Sequence, residues 1–374
     1  MSYAFLPRVR RASQIIFFAL FLVLLRTEFL ASLPAATGAA PLPYPVGIFL
    51  QSDPLLAIAN ALSTRALYKG LLWSLVVIIP TLFLGRFFCG WICPLGALNH
   101  FFSDFKSERK RGKQLIESNR YKRWQTLKYY LLIALLVSAL FGSQFLAILD
   151  PISLAVRSLA LSLLPGMNYG LSAILQALSH SQVGALRFAA EVLHFPLQAA
   201  VLSFKQPYFR QGFFLGLIFI AVLALNFRIT RFWCRALCPL GALLGLLSRW
   251  SVLGLQKHVG SCEDCNRCLL HCQGGDDPIP GVPWRRSECH LCFNCVADCP
   301  QDGIKFSFFP AATATIDGPN LARRRVFTSI AAGAAALPLF RSVPGLAVQR
   351  DPRLIRPPGA LNEKDFLERC VRCG

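Results

Sequence analysis

Four short words in this chain carry nearly all of its cysteine. "FCGWICPLGALNHF", beginning at Phe88, and "WCRALCPLGALLGL", beginning at Trp233, each hold two cysteines four apart, with proline directly after the second. "CEDCNRCLLHC", beginning at Cys262, and "CHLCFNCVADCP", beginning at Cys289, each hold four. In the second pair, three cysteines recur at short intervals and a fourth follows a few residues later. That is the spacing that wraps one corner of an iron–sulfur cube and sends the last thiolate to a neighbouring cluster. A zinc ribbon or a structural disulfide set is the alternative, which eight cysteines in this register disfavour.

This pair of words resembles a bacterial two-cluster ferredoxin. The resemblance implies that Cys262, Cys265, Cys268 and Cys299 hold one [4Fe–4S] cluster, and that Cys289, Cys292, Cys295 and Cys272 hold the other. Gln273 stands where such a word usually carries proline, a departure that removes no ligand. No C-x-x-C-H occurs, so covalent haem is not indicated.

The Cys-x-x-x-Cys-Pro repeat admits three readings. Positions i and i+4 of a helix share a face, so Cys89 with Cys93, and Cys234 with Cys238, would each present two sulfurs together. Side by side, the repeats would form a four-sulfur set of the type that suits iron–sulfur or zinc, and so a further centre. The same four cysteines could instead cycle as dithiols, or pack as small apolar residues at helix ends.

The elements that position these words are apolar. Of 374 residues, 54% are hydrophobic and only 16% charged, which places the chain among membrane proteins. The formal net charge of +20 is concentrated at the borders of apolar runs. This follows the positive-inside rule and argues against a nucleic-acid partner. Ile15–Leu33, Gly70–Leu84, Leu127–Leu149 and Gly212–Leu225 read as spans. Residues 104–128, with nine Lys or Arg against three acids, label the cytoplasmic side. Residues 151–211 read as amphipathic helices lying on the outer face.

The expected fold is therefore mainly α: a polytopic membrane helical domain of four to five spans with an internal repeat (1–253), and an inserted α+β two-cluster ferredoxin domain (254–310). Residues 311–348 are a linker followed by a twin-arginine-like signal or anchor helix, in which Arg324, Arg325 and Phe327 precede an apolar core. Residues 349–374, with Cys370 and Cys373, look like the start of a truncated C-terminal ferredoxin-like domain. Ionisable groups near apolar runs are functional candidates. Glu28 and Asp150 are the two that could accept protons from a quinol, unless they simply mark helix ends. The histidines form no pair suited to haem, and His100 and His258 read as surface residues.

Taken together, the two C-x-x-x-C-P words, the span pattern and the following two-cluster domain resemble the NapH-type membrane polyferredoxins, relatives of the C-terminal part of NosR. The last residues, "LIRPPGALNEKDFLERCVRCG", look like the start of a NapG-type exported ferredoxin. The resemblance implies an inner-membrane protein with a cytoplasmic N-terminus and ferredoxin domain and a periplasmic C-terminus. It also implies quinol as substrate, the quinone pool and lipid as surroundings, and an exported ferredoxin or cytochrome as electron acceptor, with quinol dehydrogenase activity. The rival function is a membrane maturation or assembly factor for a respiratory metalloenzyme, reducing a metal or thiol or giving NosR-like support.

Overall fold

A computed structural model describes residues 5–31, 47–65, 71–109, 112–143, 145–180, 212–258, 262, 265–310 and 318–339, with isolated positions between 184 and 192. The 349–374 segment with Cys370 and Cys373 lies outside the described residues, as does the side chain of Glu28.

Helices form over the expected apolar runs with different ends, but among the described residues only Pro151–Ser179 is long and apolar enough to cross a membrane, where four to five spans are expected. The first runs Leu6–Ala31, and a second apolar helix runs Leu71–Leu84 with Pro80 inside it. The run expected over Leu127–Leu149 is broken. A helix over Leu127–Leu140 ends where Gly142 takes φ +87, and a short helix, Leu146–Leu149, follows. Glycine tolerates this left-handed backbone at no steric cost.

The region expected to lie flat on the membrane is different again. Pro151–Ser179 is one continuous 29-residue helix with a π-turn at Leu159–Leu163, long and apolar enough to cross a membrane. Of its prolines, which suggest breaks in the sequence, Pro151 sits at the helix start, where a missing N–H costs nothing, and Pro165 follows directly on the π-turn. Gly212–Ala224 then leads back to the second cysteine word.

Phe21, Leu55, Leu95, Leu132, Ile152, Phe219 and Leu240 belong to one apolar core shared by these helices. Ile15, Val76, Ile79, Phe213, Phe214 and Ile218 point outward and stay exposed. Apolar surface of that extent is unusual in contact with water and suits lipid.

The cysteine-rich segment is bracketed by an antiparallel pair, β1 Leu253–Lys257 and β2 Ile304–Phe308, in register Leu255 to Phe306. The strands close a second, smaller core of Leu255, Trp284, Leu291, Val296 and Ile304, and Leu84 and Phe87 of the helical part pack against it. The ferredoxin-like segment is thus seated on the helical domain.

The helix Arg323–Leu339 packs along Leu127–Leu140, and Ala322 N donates to Tyr130 Oη at 3.0 Å. A methyl group on Gly333 would overlap the Ala134 carbonyl, so the two helices touch at backbone level there.

Candidate metal centre

Each Cys-x-x-x-Cys-Pro word folds as a corner. A short helix carries the first cysteine, Phe87–Trp91 in one half and Phe232–Ala236 in the other. A new helix then begins at the proline, Pro94 or Pro239. The two cysteines of a word therefore do not share one helix face, as i, i+4 spacing predicts. A residue before proline is steered out of the α region, which ends the first helix. Cys238 accordingly has φ −68°, ψ 109° and caps the second helix, its sulfur accepting from Gly241 N at 3.2 Å. Cys93 accepts from Gly96 N at 3.4 Å in the same way. A sulfur there meets otherwise unpaired N–H groups, yet burial outweighs them and pushes the Cys93 and Cys238 thiols well above the ordinary range.

The two corners meet. Cys89, Cys93, Cys234 and Cys238 are 6%, 7%, 6% and 3% exposed, and Cys238 lies within electrostatic reach of the other three. Around them is a basic shell. Arg86 and Arg231 each stand three residues before the first cysteine of a word, and both are completely buried. Each reaches into the opposite half: Arg231 Nη1 donates to the Cys89 carbonyl at 3.1 Å, and Arg86 Nη2 lies against Gly241 beside Cys238. The Nε and Nη2 of both arginines lack hydrogen-bond partners among the described residues. Arg86 Nη1 donates to the Ser287 carbonyl at 2.8 Å, but buried N–H groups left without acceptors are costly, and the unsatisfied Nε and Nη2 of both arginines beside four sulfurs suit an anionic occupant. Four thiolates around an iron–sulfur group answer that demand, and the donor set fits it.

The ferredoxin-like cysteines also gather in two sets. Cys262, Cys265, Cys268 and Cys299 line one cavity with Ile279, Pro280 and Pro300. Burial, with Cys265, Cys299 and Cys262 as neighbours, pushes the Cys268 thiol up to about 12. In the other set Cys295 has Cys292, Cys289 and Cys272 as neighbours, and burial raises its thiol well above the ordinary range. Burial and then Asp276 do the same to Cys272 and Cys289. Asp276 is itself raised to about 6 by burial, with Trp284 Nε1 donating to it at 3.1 Å. Such thiols ionise only when a cation compensates them, so metal loading here releases protons. Among the described residues, no three Cys, His, Asp or Glu side chains converge on a single-ion site. A four-iron cube holds its thiolates further apart than one ion does. None of the twelve described cysteines is in a disulfide.

Several contributors stand beside the motifs and are easily passed over. Glu288, 3% exposed, accepts from Lys128 Nζ at 2.5 Å and Tyr129 Oη at 3.0 Å, with Arg86 Nη1 at 3.8 Å. His290 is buried between two cluster cysteines, and burial together with nearby arginines drives its pKa well below the usual imidazole value. Gln273, the departure from proline, accepts from Arg10 Nη1 at 2.8 Å and so ties the ferredoxin-like loop to the first helix. His100 is buried, contrary to the surface expectation, and bonds Gln14 Oε1 at 2.8 Å; His258 is exposed as expected. Asp150 is fully buried and caps the helix at Pro151, accepting from Ser153 N at 2.8 Å. It meets Asp53, which caps the helix at Pro54 through Leu55 N at 2.7 Å. The signal for Asp53, Arg86 and Arg231 was the repeat itself: Asp-Pro recurs in both halves, as does Arg-Phe-aromatic-Cys.

The family model for a 4Fe-4S binding domain matches the chain twice, over residues 67–114 and 211–258, each match enclosing one corner. The chain is 26% identical over 228 residues to YccM of Escherichia coli strain K12, covering 60% of this chain and 51% of YccM. It is 27% identical over 255 residues to the regulatory protein NosR of Pseudomonas aeruginosa, covering 64% and 29%. With the ferredoxin-type protein NapH of Escherichia coli strain K12 it shares 25% over 265 residues, 67% and 72% of the two chains. It thus spans about half the length of YccM and under a third of NosR. No solved structure matches it.

Proposed function

The chain is a polyferredoxin of the NapH/NosR type, and from that premise we propose that it is a membrane-bound protein passing electrons from quinol toward a periplasmic reductase system. The observation that carries this reading is the meeting of the two corners, which puts four buried thiols beside two buried arginines whose Nε and Nη2 groups have no acceptor among the described residues. An iron–sulfur group held there would supply one-electron redox chemistry. Cys89, Cys93, Cys234 and Cys238 would be its ligands, and Arg86 and Arg231 would balance its charge. Cys262, Cys265, Cys268 and Cys299 would hold a second group, and Cys272, Cys289, Cys292 and Cys295 a third.

The apolar outer surface and the long Pro151–Ser179 helix support residence in the membrane. The basic 104–128 stretch supports a cytoplasmic position for the ferredoxin-like segment, because Asn119 within it donates to the carbonyls of Leu269 and Leu270 at 3.1 and 2.8 Å. An electron acceptor in the outer compartment, whether an exported ferredoxin or a cytochrome, completes the proposed route.

Iron, acid-labile sulfide and reduced-state EPR on the full chain, compared with a variant in which Cys89, Cys93, Cys234 and Cys238 are all Ser, test the reading. The expected result is loss of one iron centre while two [4Fe–4S] signals persist. Unchanged iron and spectra would leave the four cysteines as thiols and transfer the argument to the maturation-factor function.

A further inference from the structure

In the duplicated word, the residue just after the first cysteine is Gly90 in one half and Arg235 in the other, and both face the same part of the ferredoxin-like domain. At Gly90, a methyl group would overlap the carbonyl oxygen of His290. The neighbouring Trp91 Nε1 donates to the Leu291 carbonyl at 3.0 Å. The Cys89–Trp91 backbone therefore lies directly against the Cys289–Cys292 backbone, and only glycine permits that approach.

In the other half, the Arg235 guanidinium packs onto Gly275, which has φ +67, and lies within electrostatic reach of Cys272. Arg235 Nη2 is held there by the carbonyls of Asn119 at 3.2 Å and Arg120 at 3.1 Å. Arg10, bonded to Gln273, is similarly within reach of Cys292. By contrast the neighbours of Cys268 are Cys265, Cys299 and Cys262, and their cavity contains no residue of either corner. Cys265 is exposed, and Cys262 and Cys299 are partly so.

We infer that the set Cys272, Cys289, Cys292 and Cys295 is the redox partner of the four-cysteine corner, with Gly90 and Arg235 as the junction. The set Cys262, Cys265, Cys268 and Cys299 is then the distal one, and its exposed Cys265 edge exchanges electrons with a one-electron carrier on the cytoplasmic side, while the outer acceptor draws on the four-cysteine corner. An electron crossing the junction is lost by one iron–sulfur group and gained by the other, with no bond made or broken. The inference rests on the reading that these sets hold iron–sulfur groups.

Pulsed EPR on the full chain in detergent measures spin–spin coupling between the four-cysteine centre and its neighbours, alongside the separate signal of each centre. In a variant carrying Cys289→Ser with Cys292→Ser, the coupling of the four-cysteine centre is lost; with Cys262→Ser and Cys265→Ser it persists. Gly90→Ala, which keeps all cysteines, leaves three EPR signals in place and weakens the coupling. Persistence of coupling in the first variant and its loss in the second would overturn the order, as would an unchanged coupling in Gly90→Ala. Failure of the underlying reading is separate: the quadruple Cys→Ser variant would then lose no iron.

Discussion

Arg86 and Arg231 concentrate the problem of putting thiolates inside a protein. Each is fully buried beside the four sulfurs with nitrogens that nothing else in the described structure satisfies. Replacing Arg231 by Gln removes a positive charge that favours the oxidised centre less than the more negative reduced one. The midpoint potential of that centre should therefore fall, by roughly 60 mV or more, which for one electron corresponds to about 1.4 kcal/mol. A redox titration monitored by EPR checks this, and the two ferredoxin-like signals should stay in place. Glu288 poses the mirror case. Its carboxylate compensates Lys128, and Glu288→Ala leaves an ammonium group buried without a partner. Breaking one side of a buried pair typically costs about 3–5 kcal/mol. The variant should therefore lose stability in a denaturant titration, and proteolysis should release the ferredoxin-like segment earlier than in the parent.

At the scale of elements, the cysteine words were legible because their spacing is itself the chemistry, whereas the corner that holds them was not. Four-residue spacing suggests one helix face, and only the proline after Cys93 and Cys238 reveals that a second helix starts there. Hydropathy likewise located the apolar runs but misread Pro151–Ser179, since a proline at a helix start or beside a π-turn looks the same in sequence as one that breaks a helix. Arg86, Arg231 and Asp53 were hidden for a different reason: a charged residue beside an apolar run reads as a flank, and its burial depends on the other half of the chain. Two glycines give element-level tests. Gly96 lies so close to the Cys89 carbonyl that a methyl group would sit 2.7 Å from it, so Gly96→Ala should displace the corner and lose its iron selectively. Gly333→Leu should force Arg323–Leu339 away from Leu127–Leu140. A lower thermal midpoint with full iron content is the expected outcome, because that contact is with the Ala134 backbone and involves no cysteine.

For the whole molecule, the three cysteine sets differ in access. When iron is removed by chelation under reducing conditions, a maleimide should modify Cys265 first and the four corner cysteines last, as judged by mass spectrometry over time, because Cys265 is exposed and the corner is not. Reporter fusions placed after residue 310 should report the cytoplasm, in line with the contact between residues 104–128 and the ferredoxin-like segment. Repetition in the sequence does not make the two corners equivalent. A gene duplication yields two interchangeable copies, yet a single ferredoxin-like guest sits across both and meets one copy at close range and the other through a long side chain. The copies are therefore not interchangeable: Gly90 serves close backbone approach and Arg235 long reach, so exchanging the two residues would break both contacts.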